Sequence, residues 1–324
     1  MEHNLLNNDL LQANLNYKKT TYVAFSGGAD STALLFLLNE FYKDNLKIKA
    51  IHINHNLSQN ALDWEKHCKE LCERLDIDLI IKSVSVSSDG GGLESNARRT
   101  RYKVFEELLD TGDLLLTGHH SDDVAETVFL RILRGTGIEG LEGPKEKRHI
   151  GNGILIRPLL KTSKKQILDF LNSKNIDFIE DESNINNKFD RNFLRNDIFP
   201  LLEERWINFP QRVNNLTDIL INRNDNYKNI FIEKYNELIG QEIEVKKLKS
   251  LSKSIIKDIL RFSISQCNIA LPSSKIMNEI IKTFILSNPG PKSIVSWSRS
   301  DQDEPSGKII YKNGYIIILK KLKE

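Results

Sequence analysis

The sequence predicts an α/β protein, with a mostly parallel, doubly wound sheet followed by a smaller, mainly helical second domain. Three observations lead there. Up to about residue 200, short β-rich runs alternate with amphipathic helical runs, the pattern of a parallel sheet covered on both faces. Beyond that point helical runs dominate and the alternation stops. The charge also divides: residues 1–204 carry a net −6 and residues 205–324 a net +8, in a chain of 324 residues and net charge +2. Domains are therefore expected at 1–205 and 206–324, a division that suits the length at roughly 100–200 residues per domain.

Taken in order, Thr21–Phe25 (TYVAF) reads as a buried strand and Ser31–Tyr42 as the helix that follows it. Ile48–Ile53 is the next strand. Ala61–Leu75 is helical, because Leu62, Cys68, Leu71, Cys72 and Leu75 recur at i, i+3 and i+4 spacings. Leu79–Val86, Leu114–Thr117 and Ile154–Ile156 read as strands. Asn96–Leu109, Val124–Leu133 and Ser163–Asn172 read as helices, the last capped by Ser163 or Thr162. Arg191–Trp206 looks helical as far as Ile198, where Pro200 interrupts or restarts it. Gln211–Leu238, Leu248–Gln266 and Ser274–Leu286 are read as three helices. Ile294–Ser296, Ile309–Tyr311 and Tyr315–Leu319 are short strands, the last two joined by the Asn313-Gly314 turn. Asp181–Asn192 is polar and reads as a mobile loop.

Composition excludes several classes. Hydrophobic residues are 40% and charged residues 28%, ordinary globular values that rule out disorder and fibrous repeats. No run approaches the ~18 apolar residues of a membrane span. Met1–Tyr17 is polar and lacks the basic-then-apolar pattern of a signal peptide. Three cysteines cannot build a disulfide framework, so a reducing cytoplasm is the expected compartment, with no membrane partner.

The strongest chemical signal is Ser26-Gly27-Gly28-Ala29-Asp30-Ser31, placed after a strand and before a helix. Glycines let backbone amides approach an anion, and the helix that follows presents unpaired N–H groups and the positive end of its dipole. Ser26 and Ser31 add hydroxyl donors. Asp30 would repel a phosphate unless a cation intervenes, so a divalent ion, Mg2+, is expected at Asp30. The Walker pattern G-x-x-x-x-G-K-[ST] and the dinucleotide pattern G-x-G-x-x-G are both absent.

This SGG-x-DS loop resembles the pyrophosphate loop (PP-loop) of the N-type ATP pyrophosphatases, which implies an adenine nucleotide α hydrolase-like fold. That superfamily cleaves ATP between its α and β phosphates and adenylates an acceptor. Four further stretches narrow the resemblance: His52-Ile53-Asn54-His55-Asn56-Leu57; Ala97-Arg98 with Arg101-Tyr102; Thr117-Gly118-His119-His120-Ser121-Asp122-Asp123-Val124-Ala125-Glu126-Thr127, running on through Arg131 to Leu141; and Asp181-Glu182-Ser183-Asn184 before Arg191-Asn192 and Arg195. In this order they resemble the tRNA(Ile)-lysidine synthetase family, closely over about residues 20–205 and loosely beyond. The resemblance implies a ligase that forms a carbon–nitrogen bond. ATP would adenylate the oxygen at carbon 2 of the wobble cytidine in an isoleucine tRNA with a CAU anticodon. L-lysine would then attack that carbon, giving lysidine, AMP and pyrophosphate.

The residue types suit that chemistry. Ligands in open parallel sheets bind beyond the carboxyl ends of the strands, where the glycine loop, His52–His55 and Gly118–Asp123 all fall. The nucleotide site is expected to comprise Ser26–Ser31, His55 and His119, with Arg98 and Arg101 offsetting charge that develops on the phosphates. His119 and His120 also fit hydrogen-bonded structural roles or phosphate contacts. A lysine ε-amine with pKa about 10.4 is neutral in only ~1 molecule in 2,500 at pH 7, a penalty of about 4.6 kcal/mol unless a base takes the proton. Asp122 or Asp123 is placed for that role, with Asp123 favoured. Glu126, one turn further on, suits a substrate ammonium, and Arg191 or Arg195 a substrate carboxylate.

The basic half offers Lys246, Lys247, Lys249, Lys253, Lys257 and Arg261 as tRNA phosphate contacts, a set that also reads as a solvated helical surface. Many lysidine synthetases carry further C-terminal domains. This chain ends at Lys320–Glu324 soon after the last hairpin, so those domains are expected to be absent or cut away, and a homodimer is one way to restore reach. Cys68 and Cys72 read as packing residues, and the absence of a C-x-x-C pair argues against the thiolating branch of the superfamily. The rivals are another PP-loop tRNA-modifying or amide-forming adenylating enzyme, and a tRNA-binding protein with an inactive site.

Overall fold

The computed structural model describes residues 5–86, 93–298 and 305–321. Six strands form the first sheet: β1 Thr20–Ala24, β2 Lys47–Asn54, β3 Asp78–Ser83, β4 Leu114–Leu116, β5 Lys147–Ile150 and β6 Gly153–Ile156, in the order β3-β2-β1-β4-β6-β5. Neighbours are parallel except β5, which runs antiparallel to β6 at the edge. The register sets Val23 beside Ala50 and Leu116, and Leu116 beside Ile156. The helices are α1 Asn8–Gln12, α2 Ala29–Tyr42, α3 Ala61–Arg74, α4 Leu93–Leu108, α5 Ser121–Leu133 and α6 Lys164–Ser173.

Strand alternation explains the two layers of helices. Val23, Ala50, Leu114, Leu116 and Ile156 pack on one face with Leu34, Leu37 and Leu38 of α2, Cys68 and Cys72 of α3 and Ile167 of α6. Tyr22, Ala24, Ile51, Ile53, Leu115 and Leu155 pack on the other with Phe105 and Leu109. Each fully buried leucine contributes about 1.5–3 kcal/mol, so α2, apolar along most of its length, is firmly held. Ser163 caps α6 in a reciprocal box: its Oγ accepts from Gln166 N at 3.2 Å, while Gln166 Oε1 accepts from Ser163 N at 2.9 Å. Thr162 instead donates its hydroxyl to the Leu5 carbonyl.

Residues Asp190–Arg205 run on as α7 Asp190–Phe193, a π-helical turn Leu194–Ile198 and α8 Phe199–Arg205. Pro200 falls in the first turn of α8, where a missing N–H costs little, so the expected interruption is a widened turn rather than a break. Phe129, Phe199 and Phe209 meet edge to face, with each pair of ring centroids 5.4 Å apart.

The chain divides into two compact units, Met1–Ile221 and Asn222–Glu324. The division falls inside the long helix α9 Phe209–Tyr235. The second unit holds α10 Val245–Lys249, α11 Lys253–Gln266 and α12 Ser274–Ile281, with a four-stranded antiparallel sheet of β7 Glu242–Glu244, β8 Ile294–Trp297, β9 Gly307–Lys312 and β10 Tyr315–Lys320. The expected hairpin is its β9–β10 pair, turning at Asn313 and Gly314 with φ of 50° and 88°. The stretch 248–266, read as one helix, is two, because Ser252 caps a fresh start: its Oγ accepts from Ile255 N. Two short strands escaped the sequence reading. β5 is polar and β7 has only three residues.

Candidate active site

The glycine loop joins β1 to α2. Gly27 has φ +82°, and a side chain there would run into Ile179 and Cys68, so the position requires glycine. The Ile179 N–H donates to the Gly27 carbonyl at 2.8 Å and pins the loop from outside. Ser31 Oγ accepts from Ser26 N at 3.1 Å and donates to the Gly28 carbonyl at 3.0 Å, so that hydroxyl shapes the loop. Behind it, His52 Nδ1 stands 3.0 Å from the Phe25 carbonyl and 3.4 Å from Cys68 Sγ. Burial pushes the Cys68 and Cys72 thiols up to about 12, which makes them inert packing groups.

The turn between β4 and α5 touches this loop. A Cβ on Gly118 would stand 2.8 Å from the carbonyl carbon and oxygen of Asp30, so the two backbones approach as closely as glycine permits. From that contact a chain of ion pairs runs through eight side chains. Lys164 Nζ is 2.6 Å from Asp30 Oδ1. His120, only 3% exposed, places Nε2 3.6 Å from Asp30 Oδ2 and 3.5 Å from Asp123 Oδ2, and Nδ1 3.6 Å from Asp122 Oδ2. Asp123 Oδ2 accepts from the His120 backbone N–H at 3.0 Å, and its Oδ1 from Arg191 Nη2 at 2.7 Å and Arg195 Nη2 at 3.4 Å. Glu126, 1% exposed, accepts from Arg191 Nε on one oxygen, from Arg195 Nε at 2.7 Å on the other, and from Arg195 Nη2 at 3.0 Å.

Burial alone would lower the basicity of His120, but the carboxylates of Asp123, Asp122 and Asp30 outweigh it and raise its pKa to about 10. Burial likewise opposes the charges on Asp30, Asp122 and Asp123, and His120 with its neighbouring cations and hydrogen bonds holds all three carboxyls below their ordinary value. Asp123 is therefore badly placed for the favoured role of base, since both of its oxygens are engaged. Asp122 differs. Its Oδ2 takes Ser121 Oγ at 2.9 Å and the Lys164 backbone N–H at 3.0 Å, while its Oδ1 makes no hydrogen bond among the described residues. Arg191 and Arg195, expected on a substrate carboxylate, are held by Asp123 and Glu126.

Basic residues adjoin this array, with Arg157, Arg98 and Arg191 acting on His119 alongside Asp123. Burial, with Arg157 next in effect, keeps His119 well below its ordinary pKa, and its Nδ1 lies 2.8 Å from Thr117 Oγ1. Burial and then Arg101 push His55 down to about 4, and its Nδ1 is buried without a hydrogen bond. Arg98 donates to Tyr102 Oη at 3.4 Å, and the guanidiniums of Arg98 and Arg148 lie 4.9 and 4.8 Å from the centre of that ring. Lys164, Arg148 and Arg157 were not anticipated. Lys164 lies 134 residues from Asp30, and no local pattern marks the pairing.

In the second unit, Lys246, Lys247, Lys249 and Lys253 are exposed on α10 and α11, and Lys257 and Arg261 are half-buried. Lys249 Nζ donates to the Ser287 carbonyl and Arg261 lies 3.8 Å from Asp258, so these two are partly occupied. The donor set does not fit a metal held by the protein alone. The one candidate carboxylate, Asp30, is already offset by Lys164 and His120, and among the described residues no three His, Cys, Asp or Glu side chains cluster to hold an ion. Among the described residues no helix is long and apolar enough to cross a membrane.

A mostly parallel sheet with a glycine loop at the carboxyl end of its first strand is the architecture of a nucleotide-binding α/β protein. The PP-loop domain family model matches residues 3–202. A solved structure of the U34-tRNA thiolase NcsA from Methanococcus maripaludis shares the fold, with a TM-score of 0.53 and 21% identity over 67% of this chain and 77% of that one. The tRNA(Ile)-lysidine synthase of Buchnera aphidicola is 37% identical over 281 residues, 84% of this chain and 63% of that protein. The enzyme of the same name from Wigglesworthia glossinidia is 33% identical over 291 residues, covering 86% of this chain and 73% of that protein. The chain belongs to the tRNA(Ile)-lysidine synthase family. It spans between 63% and 67% of the length of the first curated relatives it matches.

Proposed function

We propose that the protein ligates L-lysine to carbon 2 of the wobble cytidine of an isoleucine tRNA bearing a CAU anticodon, at the expense of ATP. One observation carries the reading. Gly118 packs the PP-loop against the β4–α5 turn, so the nucleotide cradle and the carboxylate pocket share a wall. The amides of residues 26–31 receive the phosphates, and the N-terminus of α2 favours their charge. His55 and His119, as neutral imidazoles, and the guanidiniums of Arg98 and Arg101 line the opposite side. The cytidine oxygen attacks the α-phosphate of ATP and pyrophosphate leaves, which is adenylation.

Lysine then enters the acidic side. Its α-carboxylate and an ammonium match Arg191 and Arg195 on one hand and Asp123 and Glu126 on the other, by replacing parts of the pairing those four now make. The ε-amine attacks carbon 2. A C–N bond forms, the C–O bond to the adenylate breaks, and AMP departs with the oxygen. Asp122, through its unengaged Oδ1, takes the proton that the nitrogen loses as the new bond forms. Magnesium is expected as the companion of ATP. In this reading Lys246, Lys247, Lys249, Lys253, Lys257 and Arg261 contact tRNA phosphates, and their share of the affinity weakens with salt.

The test is AMP formation from labelled ATP with isoleucine tRNA of CAU anticodon, with and without lysine. AMP release that requires both tRNA and lysine is the expected result. AMP formed regardless of lysine would favour another adenylating activity, and the absence of any pyrophosphate–ATP exchange would favour an inactive tRNA-binding protein.

A further inference from the structure

Eight charged groups form one connected array beside the PP-loop: the carboxylates of Asp30, Asp122, Asp123 and Glu126, and the cations His120, Lys164, Arg191 and Arg195. With an imidazolium at position 120 the array is balanced. Geometry gives His120 a particular place in it. Lys164 meets Asp30 at the nucleotide end, the two arginines meet Asp123 and Glu126 at the far end, and the ring of His120 links them, with Nε2 facing both Asp30 and Asp123 and Nδ1 facing Asp122. It is nearly fully buried, and carboxylates of three aspartates stand 3.5–3.6 Å from its ring nitrogens, so its charge bears on all three.

We propose that His120 is a positioning residue that joins the nucleotide loop to the amino-acid pocket: its ring neutralises Asp30 toward the phosphates while holding Asp122 and Asp123 in place for lysine. This rests on the functional reading above and adds a residue to it. A buried carboxylate pair facing an incoming triphosphate repels it unless a cation lies between them. Lysine is itself a cation, and an uncompensated carboxylate would attract it. The two ligands should thus respond in opposite directions when the ring charge is removed, a split that a merely structural histidine would not produce.

The experiment is equilibrium binding of ATP and, separately, of L-lysine to the full chain without tRNA, so that no turnover intervenes. Wild type is measured first. Failure of wild type to bind ATP or lysine counts against the functional reading itself, and the ATP arm still tests His120 when only lysine binding fails. His120→Gln is expected to weaken ATP about tenfold, the effect of one uncompensated neighbouring charge, and to leave lysine unchanged or tighter. The double variant His120→Gln/Asp122→Asn removes one cation and one anion together and is expected to bind ATP within about threefold of wild type. It also serves where the single variant fails to fold. The proposal is overturned if His120→Gln binds ATP as wild type does, if it loses ATP and lysine alike, or if the double variant shows no recovery.

Discussion

His119 and His120 are neighbours in the chain and opposites in chemistry. Extended backbone sends successive side chains to opposite sides, and His120 has φ −130° and ψ −178°. His119 goes to the side governed by burial and Arg157, and is kept neutral. His120 goes to the side of Asp30, Asp122 and Asp123, and is kept charged. One strand-to-helix junction therefore carries a neutral imidazole and a charged one side by side, with Asp123 acting on both. In the proposed reaction the uncharged ring suits the nucleotide and the charged ring the carboxylates, a difference set by a single step along the backbone.

The sharpest challenge to this difference is Asp30→Ala, which removes a carboxylate beside the charged ring and leaves Lys164 without its partner. Adenylation, followed as pyrophosphate release, is expected to fall about a thousandfold, because Asp30 fixes Lys164 and the His120 ring beside the loop and both cations lose that position without it; ordinary release from that variant would refute the placement of the nucleotide. Asp122→Asn should spare adenylation and slow lysine transfer about a hundredfold in single-turnover assays. Asp123→Asn should chiefly raise the KM for lysine, because its contacts are with the arginines. Equal effects of Asp122→Asn on both half-reactions would return the choice of base to the open.

Glu126→Ala tests the far end of the array. It leaves two partly exposed guanidiniums without their buried carboxylate and should cost about 2 kcal/mol in denaturant unfolding, below the usual figure for a fully buried pair. The remaining test, which has no effect at neutral pH, belongs to His55. Its folded pKa of about 4 lies below the unfolded value of 6.5, so the unfolded chain binds the extra proton first. The stability it contributes is complete above pH 6.5 and is lost as pH falls through 4. His55→Gln should flatten the decline in thermal stability across that window, and an unchanged slope would show that the ring is not kept neutral by its surroundings.

Much of this was legible in the residues. Periodicity placed β1, β2, α2, α3 and α5 to within a few positions, because their apolar residues repeat at clean strand or helix spacings. The Ser26–Ser31 loop announced itself through its place between a strand and a helix. What escaped depends on distance or on brevity. Lys164 is an ordinary surface lysine until α6 brings it to Asp30 from 134 residues away. The occupation of Asp123 by Arg191 and Arg195 depends on two helices meeting, so spacing alone made Asp123 look as free as Asp122. The break at Ser252 did carry a local signal, a serine three residues before Ile255, which the long apolar period around it concealed.

A crystal structure with a non-hydrolysable ATP analogue and lysine would measure most directly where the substrates lie. The triphosphate is expected on the amides of residues 26–31, with the lysine ε-nitrogen within hydrogen-bonding distance of Asp122 Oδ1 and the α-carboxylate on Arg191 or Arg195. A nucleotide seated away from that loop, or a lysine bound outside the reach of Asp122, Asp123 and Glu126, would contradict that placement.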